Sequence, residues 1–135
     1  MMKSKFVHIF AISLLALLLV GCPHQAAVRN TDSVPFANAS DASLDQLSSV
    51  IRRAGTGLGW QMKAIAPGHI LGTLLLRNHV AKVDITYNKK NFSINYKDSQ
   101  NLDYKQEDGK NTIHSNYNGW IQRLEQGIMA QSSAL

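Results

Sequence analysis

One cysteine, Cys22, stands in a chain of 135 residues. No disulfide can therefore form within the chain, and no cysteine-based zinc site has a second sulfur ligand. The longest apolar run, residues 6–20, is interrupted by His8 and Ser13 and falls short of the roughly twenty residues that carry a helix across a bilayer. Charge of neither sign is concentrated. Arg52 and Arg53 are adjacent, as are Lys89 and Lys90, and the other basic residues are dispersed, which argues against a nucleic-acid face. No Gly-x-Ser-x-Gly elbow surrounds any serine, and no Cys/His pair has zinc-ligand spacing.

The N-terminus is built differently from the rest. Met1-Met2-Lys3-Ser4-Lys5 is a short positive opening to the apolar run, and the run ends in Leu19-Val20-Gly21-Cys22. A positive start and a short apolar middle are the parts of a secretory signal. An uncleaved membrane helix with an incidental cysteine is the competing reading; the run is short for it, and no stop-transfer charges follow. Leu19-Val20-Gly21-Cys22 resembles the lipobox of bacterial lipoproteins. The resemblance implies a leader over residues 1–21, a diacylglyceryl group on the Cys22 sulfur, and acylation of the amine freed by cleavage. Two or three chains would hold the protein on a membrane far more firmly than one, since each buried methylene contributes about 0.8 kcal/mol. Pro23, rather than Asp, follows the cysteine. By resemblance to lipoprotein sorting, this points to the periplasmic face of the outer membrane.

Residues 22–135 suffice for one domain. Lys3 and Lys5 belong to the leader, so the remaining basic side chains exceed the 9 acidic ones by only three. Residues 22–42 show neither helical nor strand period and read as a flexible tether, with Val34-Pro35-Phe36 an apolar spot able to dock. Ser43-Leu44-Asp45-Gln46 has the capping-box pattern. Leu44, Leu47, Val50, Ile51 and Ala54 follow at helical spacing, and the helix should end near Gly55 or Gly57. Strict alternation over 60–65, 81–87 and 92–97, and an apolar run over 70–76, predict four strands in an antiparallel meander. Residues 98–112 read as polar loop. Ile113, Tyr117, Trp120, Ile121, Leu124 and Ile128 trace a last helix, weakened by Gly119 and Gly127 by about 1 kcal/mol each. Gly119 should let Trp120 approach the sheet, and residues 130–135 should fray. The sum is an α+β domain over 43–135: a two-layer sandwich with a four-stranded antiparallel meander and both helices on one face.

Residues 96–104 (Tyr-Lys-Asp-Ser-Gln-Asn-Leu-Asp-Tyr) and 113–121 (Ile-His-Ser-Asn-Tyr-Asn-Gly-Trp-Ile) resemble a pair of motifs in small uncharacterised bacterial lipoproteins. Gly59-Trp60, Leu76-Arg77 and His79 extend the similarity over residues 50–128. The resemblance implies a compartment and no reaction.

Asp98, Ser99, Asn101, His114, Asn116 and Asn118 form the densest polar cluster, and Tyr104 is the aromatic best placed for exposure. Three readings compete: loop and cap chemistry, since such side chains bond nearby backbone; a binding site; or a hydrolase using Ser99 with His114. A glycan-binding module would need Tyr104 beside an exposed tryptophan. His69 and His79 bracket a strand and should lie too far apart to share a metal. Gly55-Thr56-Gly57-Leu58-Gly59 follows a helix C-terminus, the wrong dipole end for a phosphate cradle. Leu71 and Leu75 fall on the polar face of the sheet and form a candidate partner patch, unless Val34 and Phe36 cover it. The expectation is a lipid-anchored, non-enzymatic envelope module without cofactor or metal. Its partner would be an envelope protein or cell-wall glycan, not nucleic acid.

Overall fold

The computed structural model describes residues 24–135. The expected leader and the expected lipidation site, Cys22, lie outside the described residues. In chain order the elements are β1 (Gln25–Ala27), β2 (Thr31–Pro35), α1 (Leu44–Gly57), β3 (Trp60–Ala66), β4 (His69–Leu76), β5 (His79–Tyr87), β6 (Asn91–Gln100), β7 (Lys105–Glu107), β8 (Lys110–His114) and α2 (Ser115–Ser132). Over the described residues the fold is α+β, with two helices and two antiparallel sheets, one ordered β2-β6-β5-β4-β3 and the other β1-β8-β7.

The meander of four strands is present as β3 to β6, but it is not the whole sheet. β2 adds a fifth strand beside β6, and β1, β7 and β8 make a second sheet. Residues 24–42 are thus folded, not a tether. β2 escapes a periodicity search because it is short and mostly exposed, and side chains supplement its backbone pairing with β6. The amide of Ile94 donates to Thr31 Oγ1 (3.0 Å), the amide of Tyr96 to Asn30 Oδ1 (2.8 Å), and the amide of Ser33 to Ser93 Oγ (2.9 Å). Short polar side chains here replace backbone acceptors on an irregular edge strand, which carries a register shift between Thr31 and Val34. Phe36 does dock. It is 8% exposed, its ring lies 5.2 Å from that of Phe92, and its amide donates to Lys90 O.

The expected loop over 98–112 likewise holds structure. β6 runs on to Gln100, and Asp108-Gly109 turns β7 into β8. The polar composition of this hairpin conceals it, since Ile113 is the one residue of β7 and β8 that reaches the core.

One core gathers Trp60, Ile70, Leu74, Ala81, Val83, Ile85, Phe92 and Ile94 from the large sheet with Leu47, Val50 and Ile51 of α1 and Ile121, Leu124 and Ile128 of α2. Each large side chain removed from water contributes about 1.5–3 kcal/mol. Met62, Tyr96 and Leu44 are half-buried. Leu76 lies 45% exposed at the end of its strand.

Helix α1 starts on the expected box: Ser43 Oγ accepts from the Gln46 amide (3.2 Å) and Gln46 Oε1 from the Ser43 amide (2.8 Å). In α2 the close approach occurs at Gly127, not Gly119. A Cβ at Gly127 would lie 3.3 Å from Leu58 and 3.7 Å from Ala54, whereas one at Gly119 would meet nothing nearer than Arg123 at 3.9 Å. The C-terminus is held. Ser132 is fully buried, with its hydroxyl accepting from the Ala37 amide (2.9 Å) and donating to Met129 O (2.8 Å), and Asn38 Nδ2 donates to Leu135 O.

Candidate functional site

β6 carries the site because its alternation breaks. A register shift opposite Lys82 and Val83 pairs Val83 with Tyr96 but Lys82 with Asp98. The extra residue, Lys97, bulges, so Ser99 returns to the side of Ala81 and Tyr96. Beyond Gln100 the backbone turns through two left-handed residues, Asn101 (φ 56°) and Asp103 (φ 50°), on either side of the buried Leu102. Asn and Asp tolerate that conformation better than other side chains.

The result is an open cleft of about 740 Å³, lined by Tyr96 to Ser99, Asn101 to Tyr104, and Gln106. Tyr104 stacks on Tyr96 with ring centroids 4.3 Å apart, and the Tyr96 hydroxyl shares a hydrogen bond of 2.8 Å with Ser99 Oγ. Burial pushes the Tyr96 hydroxyl above its ordinary pKa, against the opposing effect of that bond. Below it, Tyr117 meets Tyr96 edge-on, fully buried, with no hydrogen-bond partner for its hydroxyl; burial raises that pKa strongly.

Of the residues singled out from sequence, Asp98, Ser99, Asn101 and Tyr104 line this cleft; His114, Asn116 and Asn118 do not. Asp98 Oδ1 accepts from the Ser99 amide (2.8 Å). Asn101 latches two turns together: its Nδ2 donates to Asn78 O (2.6 Å), and its carbonyl accepts from His79 Nδ1 (2.7 Å). His114 is the N-cap of α2, its Nδ1 accepting from the Asn116 amide (3.2 Å), and its ring stacks on His24 at 5.8 Å. Asn118 binds β1 to α2, accepting from the Arg29 amide (2.9 Å) and donating to Ala27 O (2.8 Å), beside an Arg29–Glu125 ion pair of 2.8 Å. Four of the polar side chains, those of Asp98, Asn101, His114 and Asn118, thus bond backbone. Ser99 Oγ is bonded to Tyr96 and not to His114, so no nucleophile–base pair is formed there.

The tryptophans do not flank Tyr104 as an exposed platform, since Trp60 and Trp120 are both buried. Among the described residues no group of three or more His, Cys, Asp or Glu is arranged to hold a metal. His69 instead donates from Nε2 to Asp84 Oδ1 (2.7 Å), and Lys97 reaches Asp84 Oδ2 (3.3 Å). Burial alone would raise the Asp84 pKa, but the hydrogen bonds and charges of His69 and Lys97 outweigh it and hold the carboxyl below its ordinary range.

The outer face of the large sheet stays open. Leu75 is 55% exposed and Leu71 half-buried. Val34 and Phe36 pack into the core on the opposite side and do not cover them. Sequence reasoning missed Lys97, Asp103 and Gln106 as lining residues. The signal available was the succession Lys97-Asp98, two charged residues where alternation required one inward-facing position.

The chain was compared with protein-family models, curated proteins and solved structures, and none matches.

Proposed function

We propose that this protein is a lipid-anchored module of the bacterial envelope that works by binding an envelope component in the cleft beside Tyr96 and Tyr104, without chemistry of its own. The leader pattern ending in Cys22 supports export and lipidation, and Pro23 supports the outer membrane. The observation that carries the binding reading is the cleft itself. It is polar, it is fixed by a β-bulge and two left-handed residues, and it presents amide, carboxylate and ammonium groups around a stacked tyrosine pair. Backbone strain of this kind concentrates where a surface is used. The serine in the cleft lacks a base, which ranks binding above hydrolysis. The motif resemblance to small bacterial lipoproteins supports the same compartment.

Photo-crosslinking side chains placed at Asp103 and Gln106, both exposed, test the reading in intact cells. Adducts of one discrete mass at these positions and none at Lys89 are expected. Equal labelling at all three, or none at any, refutes use of the cleft. Asp103 and Gln106 adducts that vanish in Ser99→Ala together with a measurable turnover would favour the hydrolase reading instead.

A further inference from the structure

The chain leaves very little length between the lipidation site and the folded domain. β1 begins at Gln25, and His24 already belongs to the structure: its carbonyl accepts from the Ser115 amide (2.7 Å), and its ring stacks on His114. Two Cα–Cα steps separate Cys22 from His24, a reach of about 7 Å at most. A domain held that closely must present one definite end to the bilayer.

That end can be traced by contacts. His24 touches His114; the His114 amide donates to Leu102 O (2.8 Å); the neighbouring Asn101 donates to Asn78 O, in the turn between β4 and β5. The turn therefore lies at the same end as the anchor. Leu75 and Leu76, 55% and 45% exposed, end β4 immediately before this turn, and Arg77 follows them in it. The β5–β6 turn with Lys89 and Lys90 lies at the other end of β5, about 27 Å away along a strand. Two adjacent exposed leucines are a liability in water. Beside a membrane they are a second foothold, with Arg77 at headgroup phosphate level. The carboxylates of Asp98 and Asp103 lie close to the same end, so net charge does not provide the attraction; proximity and apolar insertion do.

We propose that the end of the domain bearing His24 and the turn after Leu76 rests on the membrane surface, with Leu75 and Leu76 seated in the lipid interface. This rests on the lipidated Cys22 of the proposed function. It adds an orientation: the cleft beside Tyr104 opens near the lipid, and the Lys89 end points away from it.

The test uses the full, processed chain in vesicles of phosphatidylethanolamine and phosphatidylglycerol (3:1). A thioether at Cys22 leaves that sulfur closed to maleimide dyes, so Asn78→Cys and Lys89→Cys each give one labelling site. Nitroxide-headgroup lipid should quench a dye at position 78 at least threefold more than one at 89; equal quenching overturns the docking. Leu75→Ser with Leu76→Ser changes only exposed side chains and should at least halve the quenching at 78; an unchanged value overturns insertion by the leucines. The intact mass of the same sample reads the anchor separately. An acylated chain with equal quenching defeats the docking alone, and a chain without acyl groups defeats both proposals.

Discussion

Replacing Phe36 by Ala separates a folded N-terminal segment from a passive one. Burying a Phe side chain contributes about 1.5–3 kcal/mol by transfer, and emptying such a site adds a cavity cost, so core Phe→Ala changes run at about 3–5 kcal/mol. Phe36 lies at the rim of the core at 8% exposure, against Phe92, where water can partly fill the space. The low end, about 3 kcal/mol, is expected. For a domain of this size each kcal/mol moves the midpoint by about 4 °C, giving a fall near 12 °C. Urea titration of residues 24–135, followed by the fluorescence of the buried Trp60 and Trp120, reads the free-energy change, and a thermal melt reads the midpoint. Phe36→Leu should cost under about 1.5 kcal/mol. A Phe36→Ala change within about 0.5 kcal/mol of zero, the range of a surface substitution, would refute the docking of this segment and return residues 24–42 to the role of a tether.

Asn118→Ala leaves the Arg29 amide and the Ala27 carbonyl without their partner and should cost about 1–2 kcal/mol; hydrogen exchange at Arg29 should accelerate while the core amides keep their order of protection. Gly119→Ala fills open space in a helix and should stabilise by up to about 1 kcal/mol. Gly68→Ala should destabilise, because φ is +80° and a Cβ would lie 2.8 Å from Tyr87 O; thermal melts of the two variants should shift in opposite directions. Asp84 has a folded-state pKa below the ordinary 3.8, so its pairing stabilises above that value and the contribution disappears as pH falls through the folded pKa. With partners one-third to one-half exposed, Asp84→Asn should cost about 0.5 kcal/mol near pH 6 and nothing in strong acid; a loss independent of pH would contradict the ion pairing.

What the sequence revealed follows physical rules. β3 to β6 were legible because Trp60, Val83, Ile85, Phe92 and Ile94 alternate with polar residues on a sheet that has one wet face. α1 was legible from its capping box and its apolar spacing. β1, β2 and the β7–β8 hairpin were not, because their residues are held by side chains of Asn30, Thr31 and Asn118 or by backbone pairing at the surface, which leaves no apolar period. The polar cluster was found but only half of it converges. Asp98, Ser99, Asn101 and Tyr104 meet because of the bulge at Lys97, and a bulge shifts facing without any change in composition. His114, Asn116 and Asn118 were close in sequence to one another, and the cap of α2 and the clasp on β1 account for two of them.

The mass of the chain purified from membranes tests the account most directly. A product that begins at Cys22 and carries diacylglyceryl and acyl groups, absent from Cys22→Ser, is predicted. An unprocessed, unmodified chain of 14.9 kDa that still sediments with membranes would contradict it.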